Sequence, residues 1–308
     1  MIRSMQSAIA GLKSHQTKMD VIGNNIANVN TWGYKSKSAN FADAMYQNYI
    51  TGAAGNAAAG FTGGINTSQI GYGANVSSIT SNMETGTQSY TGRAFDCMIN
   101  GPAFFIVGPY AQDVPMDDLD GSGLSLSRVG IFSMDSNGYL VDDKGNYVYG
   151  YTTGNGDGNG NITINTNTDL QPIRLNVGLV DNGAGAAGTQ NITYNSVKIG
   201  SDGVITVVDK DSISHVVGQF ALATVENVNG MEQNSGFTYE ITENAGEINV
   251  GPQNDATGEV LSGYLEMSNV DLATEMSYMI TTQRGYQANT RMITVSDQML
   301  EELVNMKR

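Results

Sequence analysis

The chain has 308 residues, of which 15 are basic and 30 acidic, so its formal net charge is −15. This charge argues against nucleic acid or an anionic membrane as a partner, and no run of about 20 apolar residues predicts a transmembrane helix. The composition includes 38 Gly, 5 Pro and 1 Cys, which predicts many turns between short strands and excludes an internal disulfide.

Apolar residues near the N-terminus recur at alternating intervals of three and four, which places them on one stripe of a helix. Lysines lie between them, so they do not form the continuous apolar block of a secretory signal peptide. On this evidence alone we expect a cytoplasmic protein. The stripe consists of Met5, Ile9, Leu12, Met19 and Ile26.

An Asn-rich segment follows, and we expect the first helix to end within residues 24–35. Repeated Asn suits a helix end, and Gly33 can adopt a positive φ at little cost. The residues that carry the pattern are Asn24, Asn25, Asn28, Gly33, Tyr34 and Lys35.

Residues 51–73 form a low-complexity run rich in Gly, Ala and Asn. Such a run buries too little apolar surface to order itself. Two interpretations stay open, namely a flexible linker and a segment that becomes ordered only on assembly. We predict an extended linker over residues 37–75.

From residue 74 onward the hydrophobic period changes to two, which is typical of strands. Strands are predicted at residues 103–107, 129–133, 139–141 and 147–151, and a second β region at residues 192–199, 204–208, 216–225 and 237–242. The predicted β-rich domain covers residues 76–263, with residues 152–200 as a small subdomain or insertion.

Patterns that resemble reactive sites each lack a necessary element. His15 and His215 have no motif around them, and Cys97 lies in a predicted strand, where burial explains it better than catalysis. Residues 155–166 follow calcium-loop spacing, but Thr166 replaces the bidentate Glu, so an ordinary turn is favoured. We therefore expect no enzyme, and no catalytic residue, cofactor or metal.

A second helical stripe lies near the C-terminus, within residues 268–308. A helix of this length requires a partner, and the N-terminal helix offers one, although a simple helical hairpin that closes one globular domain is the alternative. The predicted helical domain, which is coiled-coil-like, comprises residues 1–36 and 264–308. We call the stripes of both helices the predicted seam, to which the C-terminal helix contributes Leu272, Met276, Met279, Tyr286, Ile293, Leu300 and Val304.

A second motif accompanies this helix and consists of Asn269, Val270, Asp271, Gln283 and Arg284. Together with the Asn-rich segment it resembles the terminal signatures of bacterial flagellar rod and hook proteins. Residues 91–96 and 100–105 are similar to a central segment of the same family. The resemblance covers both ends and much of the middle, and it is weakest over residues 152–200.

The terminal helices must meet, so the β region is an insertion, and the fold class is predicted to be α+β multidomain with mainly antiparallel inserted β domains. The resemblance implies a structural subunit that self-assembles into the tubular hook, the flexible joint that transmits motor torque to the filament. The distal rod is the alternative, although residues 90–93 look more like hook proteins.

The resemblance also implies partners and a location. The chain would form a homopolymer, a helical tube, in which the predicted seam lies between subunits. Other rod proteins, hook-cap proteins and hook–filament junction proteins would be its neighbours. It would pass through the flagellar type III export apparatus, without a cleaved signal peptide, to reach the flagellum outside the cell.

A hypothesis of a different class is a secreted β-rich protein that binds or hydrolyses glycans. Such a protein needs paired carboxylates or an aromatic platform. Asp117, Asp118 and Asp120 lie in a predicted loop, with no sequence sign of an opposed partner.

Overall fold

The computed structural model describes residues 2–52, 64–112, 114–116, 119, 121–152, 164, 169–175, 177–181, 187–191, 194–209, 214–234, 237–254 and 256–306. The chain forms two compact units. The helical unit comprises residues 1–29, 36–82 and 270–308, and the β unit comprises residues 30–35 and 83–269.

The helical unit contains the two terminal helices and four strands among its described residues. Asp271 is the N-cap of the second helix, and its side chain accepts a hydrogen bond from the Ala273 N–H over 3.2 Å, which satisfies one of the free donors of the first turn. The elements are α1 (Ile2–Ala27), β1 (Lys37–Asp43), β2 (Tyr46–Ile50), β3 (Ser68–Gly71), β4 (Ala74–Ser81) and α2 (Leu272–Asn305).

The structure differs from the extended linker predicted for residues 37–75. β1 pairs with β4 and β2 pairs with β3, both antiparallel, so the segment folds into two ribbons. Aromatic residues such as Tyr46 and Tyr49 favour strands, a local preference that the overall Gly and Ala content obscures. Residues 53–63, within the low-complexity run, lie outside the described part.

The β unit begins its strands at residue 88. A short 3-10 helix, Val228–Gly230, interrupts them. The strands are β5 (Gln88–Tyr90), β6 (Cys97–Asn100), β7 (Phe104–Gly108), β8 (Ser125–Ser127), β9 (Phe132–Met134), β10 (Leu140–Asp142), β11 (Tyr147–Thr152), β12 (Gln171–Pro172), β13 (Val177–Asp181), β14 (Ala187–Asn191), β15 (Tyr194–Ile199), β16 (Val204–Asp209), β17 (Ser214–Phe220), β18 (Leu222–Val225), β19 (Glu232–Gln233), β20 (Thr238–Glu240), β21 (Ile248–Gly251), β22 (Glu259–Ser262) and β23 (Tyr264–Glu266).

The largest sheet of the described residues has the path β15-β16-β17-β11-β7-β8-β20-β19, and β18 joins β7 to β21. Pairs β22–β6, β23–β5 and β13–β14 lie outside it. Every residue of β7 is buried. Because successive strand residues point to opposite faces, Phe105 and Val107 enter one apolar cluster, and Phe104 and Ile106 enter another.

Two terminal helices and a large antiparallel β-rich body were predicted, and both are confirmed. The hairpin predicted at residues 139–151 appears as β10 and β11, in which Val141 pairs with Tyr147. A coiled-coil geometry for the helices stays a prediction. The candidate calcium loop at residues 155–166 has only residue 164 in the described part, and Asp117, Asp118 and Asp120 lie outside it.

Candidate assembly surface

α1 and α2 lie side by side and run in opposite directions. An advance along α1 from Gly11 to Asn25 corresponds to an equal number of residues in the reverse direction along α2, from Asn289 to Glu275. By the same register, α1 begins opposite about residue 298, so the final turns of α2 extend beyond it. The contacts join Gly11 with Asn289, His15 with Gly285, and Asn25 with Glu275.

Two glycines allow the helices to approach closely. A Cβ on Gly11 would lie 2.6 Å from Asn289 Nδ2, and one on Gly285 would lie 2.9 Å from the His15 ring. Real side chains do not adopt such distances, so any larger residue must displace its neighbour. The distance between two helices depends on the side chains at their contact, and here those side chains are small.

The residues that line this contact recur at intervals of three and four, and each is buried or half-buried. Most of them are small or polar. We call them the contact face, which comprises Ala8, Gly11, His15, Lys18, Ile22 and Asn25 of α1, and Glu275, Met279, Thr282, Gly285, Asn289, Ile293 and Ser296 of α2.

The residues of the predicted seam are offset by one position from those of the contact face. This offset holds along α1 and along much of α2. On α2 only Met279 and Ile293 belong to both sets. The reason is that hydrophobic periodicity selects the most apolar stripe, whereas close helix approach selects the smallest one. Met5, Leu12, Met19 and Ile26 are half-buried, whereas Ile9, Leu272, Met276, Tyr286, Leu300 and Val304 are exposed.

A further apolar stripe lies on the other flank of the contact face of α2. Met292, Met299 and Met306 are seven residues apart and exposed, with Val295 between the first two. α2 therefore carries exposed apolar side chains on both sides of its contact with α1. A helix that is apolar around most of its circumference is typical of a buried position.

The ribbons of the helical unit differ in their contacts. The β1–β4 ribbon packs on α1, where Ser14 Oγ donates to the Ala74 carbonyl over 2.9 Å. The β2–β3 ribbon is exposed along both strands, and Tyr46 and Tyr49 are among its exposed residues. An isolated two-stranded ribbon is marginally stable in water, so this one is a candidate contact region.

Asn25 of the N-terminal motif joins three elements of the helical unit. Its Nδ2 donates to the Lys37 carbonyl over 2.8 Å and to Glu275 Oε1 over 3.1 Å. Its Oδ1 accepts from the Lys37 N–H over 3.0 Å. Burial raises the pKa of Glu275 above its ordinary value, against the opposing effect of the Asn25 hydrogen bond.

Other residues of the N-terminal motif shape the turn after α1. Asn28 Nδ2 donates to the Asn24 carbonyl over 2.9 Å, and the Asn28 N–H donates to the same carbonyl over 3.2 Å. Gly33 has a φ of +66°, a conformation that favours glycine, and its N–H donates to the Glu266 carbonyl over 2.8 Å. Tyr34 is buried.

Lys35 belongs to a buried ion cluster in the β unit, formed with Arg128 and Glu266. Its Nζ donates to Glu266 Oε1 over 2.7 Å and to the Glu84 carbonyl over 2.8 Å. The same Glu266 oxygen accepts from the Gly86 N–H over 2.8 Å. Burial and the Arg128 charge lower the pKa of Lys35, while Glu266 acts in the opposite direction.

Arg128 completes this cluster. Its Nε lies 3.3 Å from Glu266 Oε2, an ion-pair distance without hydrogen-bond geometry. Its Nη1 donates to the carbonyls of Gly101 and Ala103, and its guanidinium lies 5.3 Å from the Phe104 ring centre. No spacing in the sequence marks Arg128 or Glu266, so their place in this cluster was not predicted.

The C-terminal motif has structural roles at its start. Asn269 Nδ2 donates to the Glu84 carbonyl over 3.3 Å, and Asp271 caps α2. Hydrogen bonds from the Thr274 hydroxyl and the Ala273 N–H lower the pKa of Asp271. Val270 is buried, whereas Gln283 and Arg284 are exposed on α2.

The residues considered as reactive candidates, His15, His215 and Cys97, lie in the helix contact and in strands. None of the described His, Cys, Asp and Glu side chains form a group of three that could hold a metal ion. His215 is buried in β17 opposite Val207, and burial raises the pKa of the Cys97 thiol. Over the described residues, neither helix is long and apolar enough to cross a membrane.

Two family models match the ends of the chain. The model described as "Flagella basal body rod protein" matches residues 5–35, and "Flagellar basal body rod FlgEFG protein C-terminal" matches residues 261–306. These ranges contain most of α1 with its Asn-rich turn and all of α2. Both families describe structural components of the flagellum.

Full-length relatives give the same assignment. The flagellar basal-body rod protein FlgG of Bacillus subtilis (strain 168) is 36% identical over 310 positions, covering 100% of both chains. FlgG of Buchnera aphidicola subsp. Schizaphis graminum is 31% identical, covering 98% of this chain and 99% of its own. The flagellar hook protein FlgE of Borreliella burgdorferi is 27% identical, covering 100% of both.

A solved structure of the Helicobacter pylori flagellar hook protein FlgE2 matches at 12% identity and a TM-score of 0.21, covering 59% of this chain and 77% of that one. That likeness is too weak to bear on the fold. The family models and the full-length relatives agree with each other and with the motifs at both ends. The chain belongs to the family of bacterial flagellar rod and hook proteins, the structural subunits of those parts of the flagellum.

Proposed function

We propose that the chain is a subunit of the flagellar rod, in its distal part, and polymerises there into a helical tube. The observation that carries this proposal is the alignment with FlgG of Bacillus subtilis, which is 36% identical and covers 100% of both chains over 310 positions. Because the two chains align over their full lengths without a large insertion, they can contain the same set of domains.

The hook relatives are longer than this chain. The alignment with FlgE of Borreliella burgdorferi extends over 444 positions, and the one with FlgE of Treponema pallidum over 466, whereas the chain has 308 residues. Those hook proteins therefore carry segments without a counterpart here. This difference in size favours the rod.

The exposed apolar residues of the helical unit support polymerisation. α2 presents the predicted seam on one flank of the contact face and the methionines on the other. Further copies of the chain would cover both flanks. A contact between two different surfaces of identical chains generates a ring if the rotation between copies closes, and an open helical filament or tube if it does not.

Partners and location follow from the proposed rod position. Other rod proteins and the first hook subunits would adjoin the polymer, whereas hook-cap and hook–filament junction proteins would be neighbours of a hook subunit. The chain would reach its place through the flagellar export apparatus. The absence of an internal disulfide, since the chain has 1 Cys, is compatible with passage in an unfolded state.

The hook is the second candidate, and a specific observation favours it. Residues 90–93 resemble hook proteins, and they lie at the end of β5 and in the turn that follows, where Tyr90 is exposed and contacts Tyr264 with ring centres 5.3 Å apart. Tyr264 is half-buried, so Tyr90 offers the accessible ring of this pair for a contact with another subunit. One short segment weighs less than a full-length alignment.

Electron microscopy of basal bodies separates the two candidates. The gene is deleted in the organism that encodes it, and basal bodies are purified and imaged by negative stain. If the chain is a rod subunit, its deletion leaves basal bodies with a shortened rod and no hook. Complete rods that lack only the hook would overturn the rod proposal in favour of the hook.

A further inference from the structure

Three methionines form a single exposed stripe on α2. Met292, Met299 and Met306 are separated by seven residues each, which places them on one line along a helix. Their side chains are 53%, 43% and 78% exposed, respectively. We call them the methionine stripe, and their sulfur atoms are within reach of small molecules in solution.

The C-terminal part of this stripe borders an open apolar hollow. Its volume is about 580 Å³, and Met299, Leu303 and Met306 line it together with Glu302 and Asn305. By the register of the helix pair, this part of α2 extends beyond α1. An oxidant the size of hydrogen peroxide therefore meets no steric barrier there among the described residues.

The cysteine does not offer a competing sulfur site. Cys97 is completely buried, and burial raises the pKa of its thiol, so the reactive thiolate is scarce. Met98 is also completely buried. The sulfur chemistry available to a dissolved oxidant is thus concentrated on exposed methionines, and the stripe holds three of them in one line.

We propose that the methionine stripe is an oxidative modification site at which a peroxide converts the thioethers to sulfoxides. Each sulfur gains one oxygen atom and is oxidised by two electrons, while hydrogen peroxide is reduced to water. Methionine sulfoxide reductases reverse the change. The sulfoxide is polar and chiral, so a flexible apolar surface becomes one that resists burial.

The consequence for assembly rests on the proposed function, in which other copies of the chain cover this flank of α2. A sulfoxide at Met299 would lose its hydrogen bonds to water on entering such a contact, and each one that the neighbouring copy does not replace is costly. The free subunit is therefore open to oxidation and the assembled one is protected. Oxidation prevents new subunits from joining, and reduction restores them.

Peptide mapping by mass spectrometry tests the modification itself. The purified full chain is treated with limiting hydrogen peroxide, and the rate of oxygen addition is measured at each methionine. We expect the stripe to react at least roughly tenfold faster than Met98, because a buried sulfur reacts only after local opening. Equal rates at the stripe and at Met98 would refute the site, whether or not the chain assembles.

Light scattering tests the effect on assembly. Untreated chain that does not polymerise counts against the proposed function, and the mapping result stands independently. If untreated chain polymerises, oxidised chain is expected to need a roughly tenfold higher concentration to do so, because a polar group resists burial. Treatment with methionine sulfoxide reductases A and B is expected to restore polymerisation at the original concentration. Oxidised chain that polymerises normally would overturn the inference.

A matched pair of variants assigns the effect to the stripe. The triple variant M292L/M299L/M306L keeps side-chain volume and removes the three sulfurs of the stripe. Its assembly should be less sensitive to peroxide than that of the wild type, with Met276 of the predicted seam remaining as an exposed sulfur of α2. The control M134L removes an exposed methionine of the β unit, outside every candidate contact region, and should remain sensitive. Peroxide sensitivity that is equal in the triple variant and the wild type would contradict the inference, and circular dichroism checks that each variant is folded.

Discussion

Lys35 Nζ lies 2.7 Å from Glu266 Oε1, although the two residues are 231 positions apart in the chain. Both side chains are buried, and Arg128 lies on the other oxygen of the same carboxylate. The single carboxylate of Glu266 is therefore paired with two basic side chains. The cluster ties the turn after the first helix to the strand that precedes the second helix.

This charge ratio predicts unequal effects of two substitutions. E266Q leaves two buried cations without a counter-charge and should cost about 3–5 kcal/mol of unfolding free energy. K35M leaves one cation with one anion, so its cost should be less than half of that. Urea unfolding followed by fluorescence of Trp32, the one Trp of the chain, measures both. A greater loss in K35M than in E266Q would show that charge balance does not govern this cluster.

Glycine substitutions test how closely the helices approach. G285A should destabilise the helical unit, because its Cβ would lie 2.9 Å from the His15 ring. G23A is the matched control, since its Cβ would have no neighbour within 4 Å, and it should gain roughly 0.5–1 kcal/mol from helix propensity. Thermal melting at 222 nm should therefore shift in opposite directions, and a gain in both variants would contradict the close contact.

An added charge near the end of α2 tests the assembly surface. L300E places an acid on the predicted seam, beyond the part of α2 that faces α1, and should abolish polymerisation while the chain remains folded. Q298E adds the same formal charge two residues away on the face opposite the contact with α1, where the side chain is exposed, and should polymerise. Ile293 would be a less informative position, because it also belongs to the contact face.

Sedimentation with electron microscopy compares L300E and Q298E with the wild type, and circular dichroism checks their folding. Polymers of normal length from L300E would show that the predicted seam is not a contact between subunits. Loss of polymers in both variants would point to net charge rather than to the seam.

The pKa of Glu275 predicts a pH effect of defined sign. Its pKa is raised in the folded chain, so the folded state holds this proton more tightly than the unfolded state. Its contribution is therefore most favourable below the unfolded value of about 4.3, and it is lost as the pH rises through the raised pKa. E275Q can still accept the hydrogen bond from Asn25 and has no charge to bury.

The melting temperature of E275Q relative to the wild type should therefore increase between about pH 4 and pH 6, over the range in which the wild-type carboxyl ionises. Thermal melts at several pH values in one buffer series measure this difference. A difference that stays constant with pH would mean that Glu275 ionises alike in both states.

The sequence predicted the helices and the β hairpin because their periods of 3.6 and 2 depend on local spacing. It placed the predicted seam one residue away from the contact face because apolar character and small size are maximal on neighbouring stripes of the same helix. Gly11 and Gly285 could have indicated the contact face, because each is a small residue within the regular helical spacing. A hydrophobicity pattern does not detect residues selected for small size.

The ion cluster was beyond the reach of the sequence for another reason. Lys35 belongs to a motif, but a lysine near a helix end is ordinarily solvated. Its partners Arg128 and Glu266 come from distant parts of the chain, and only the three-dimensional arrangement of the β unit brings them together. Similarly, local preference for strands in residues 37–81 was hidden by the Gly and Ala content around it.

A helix pair that turns glycine, serine and asparagine inward and methionine, leucine and valine outward gains little hydrophobic free energy from folding alone. In the proposed polymer, most of the apolar area of α2 leaves water when a neighbouring copy covers it. Folding of the helical unit and growth of the polymer then depend on the same free energy, and by mass action the melting temperature rises with protein concentration. The helices therefore reach their full stability only within the polymer.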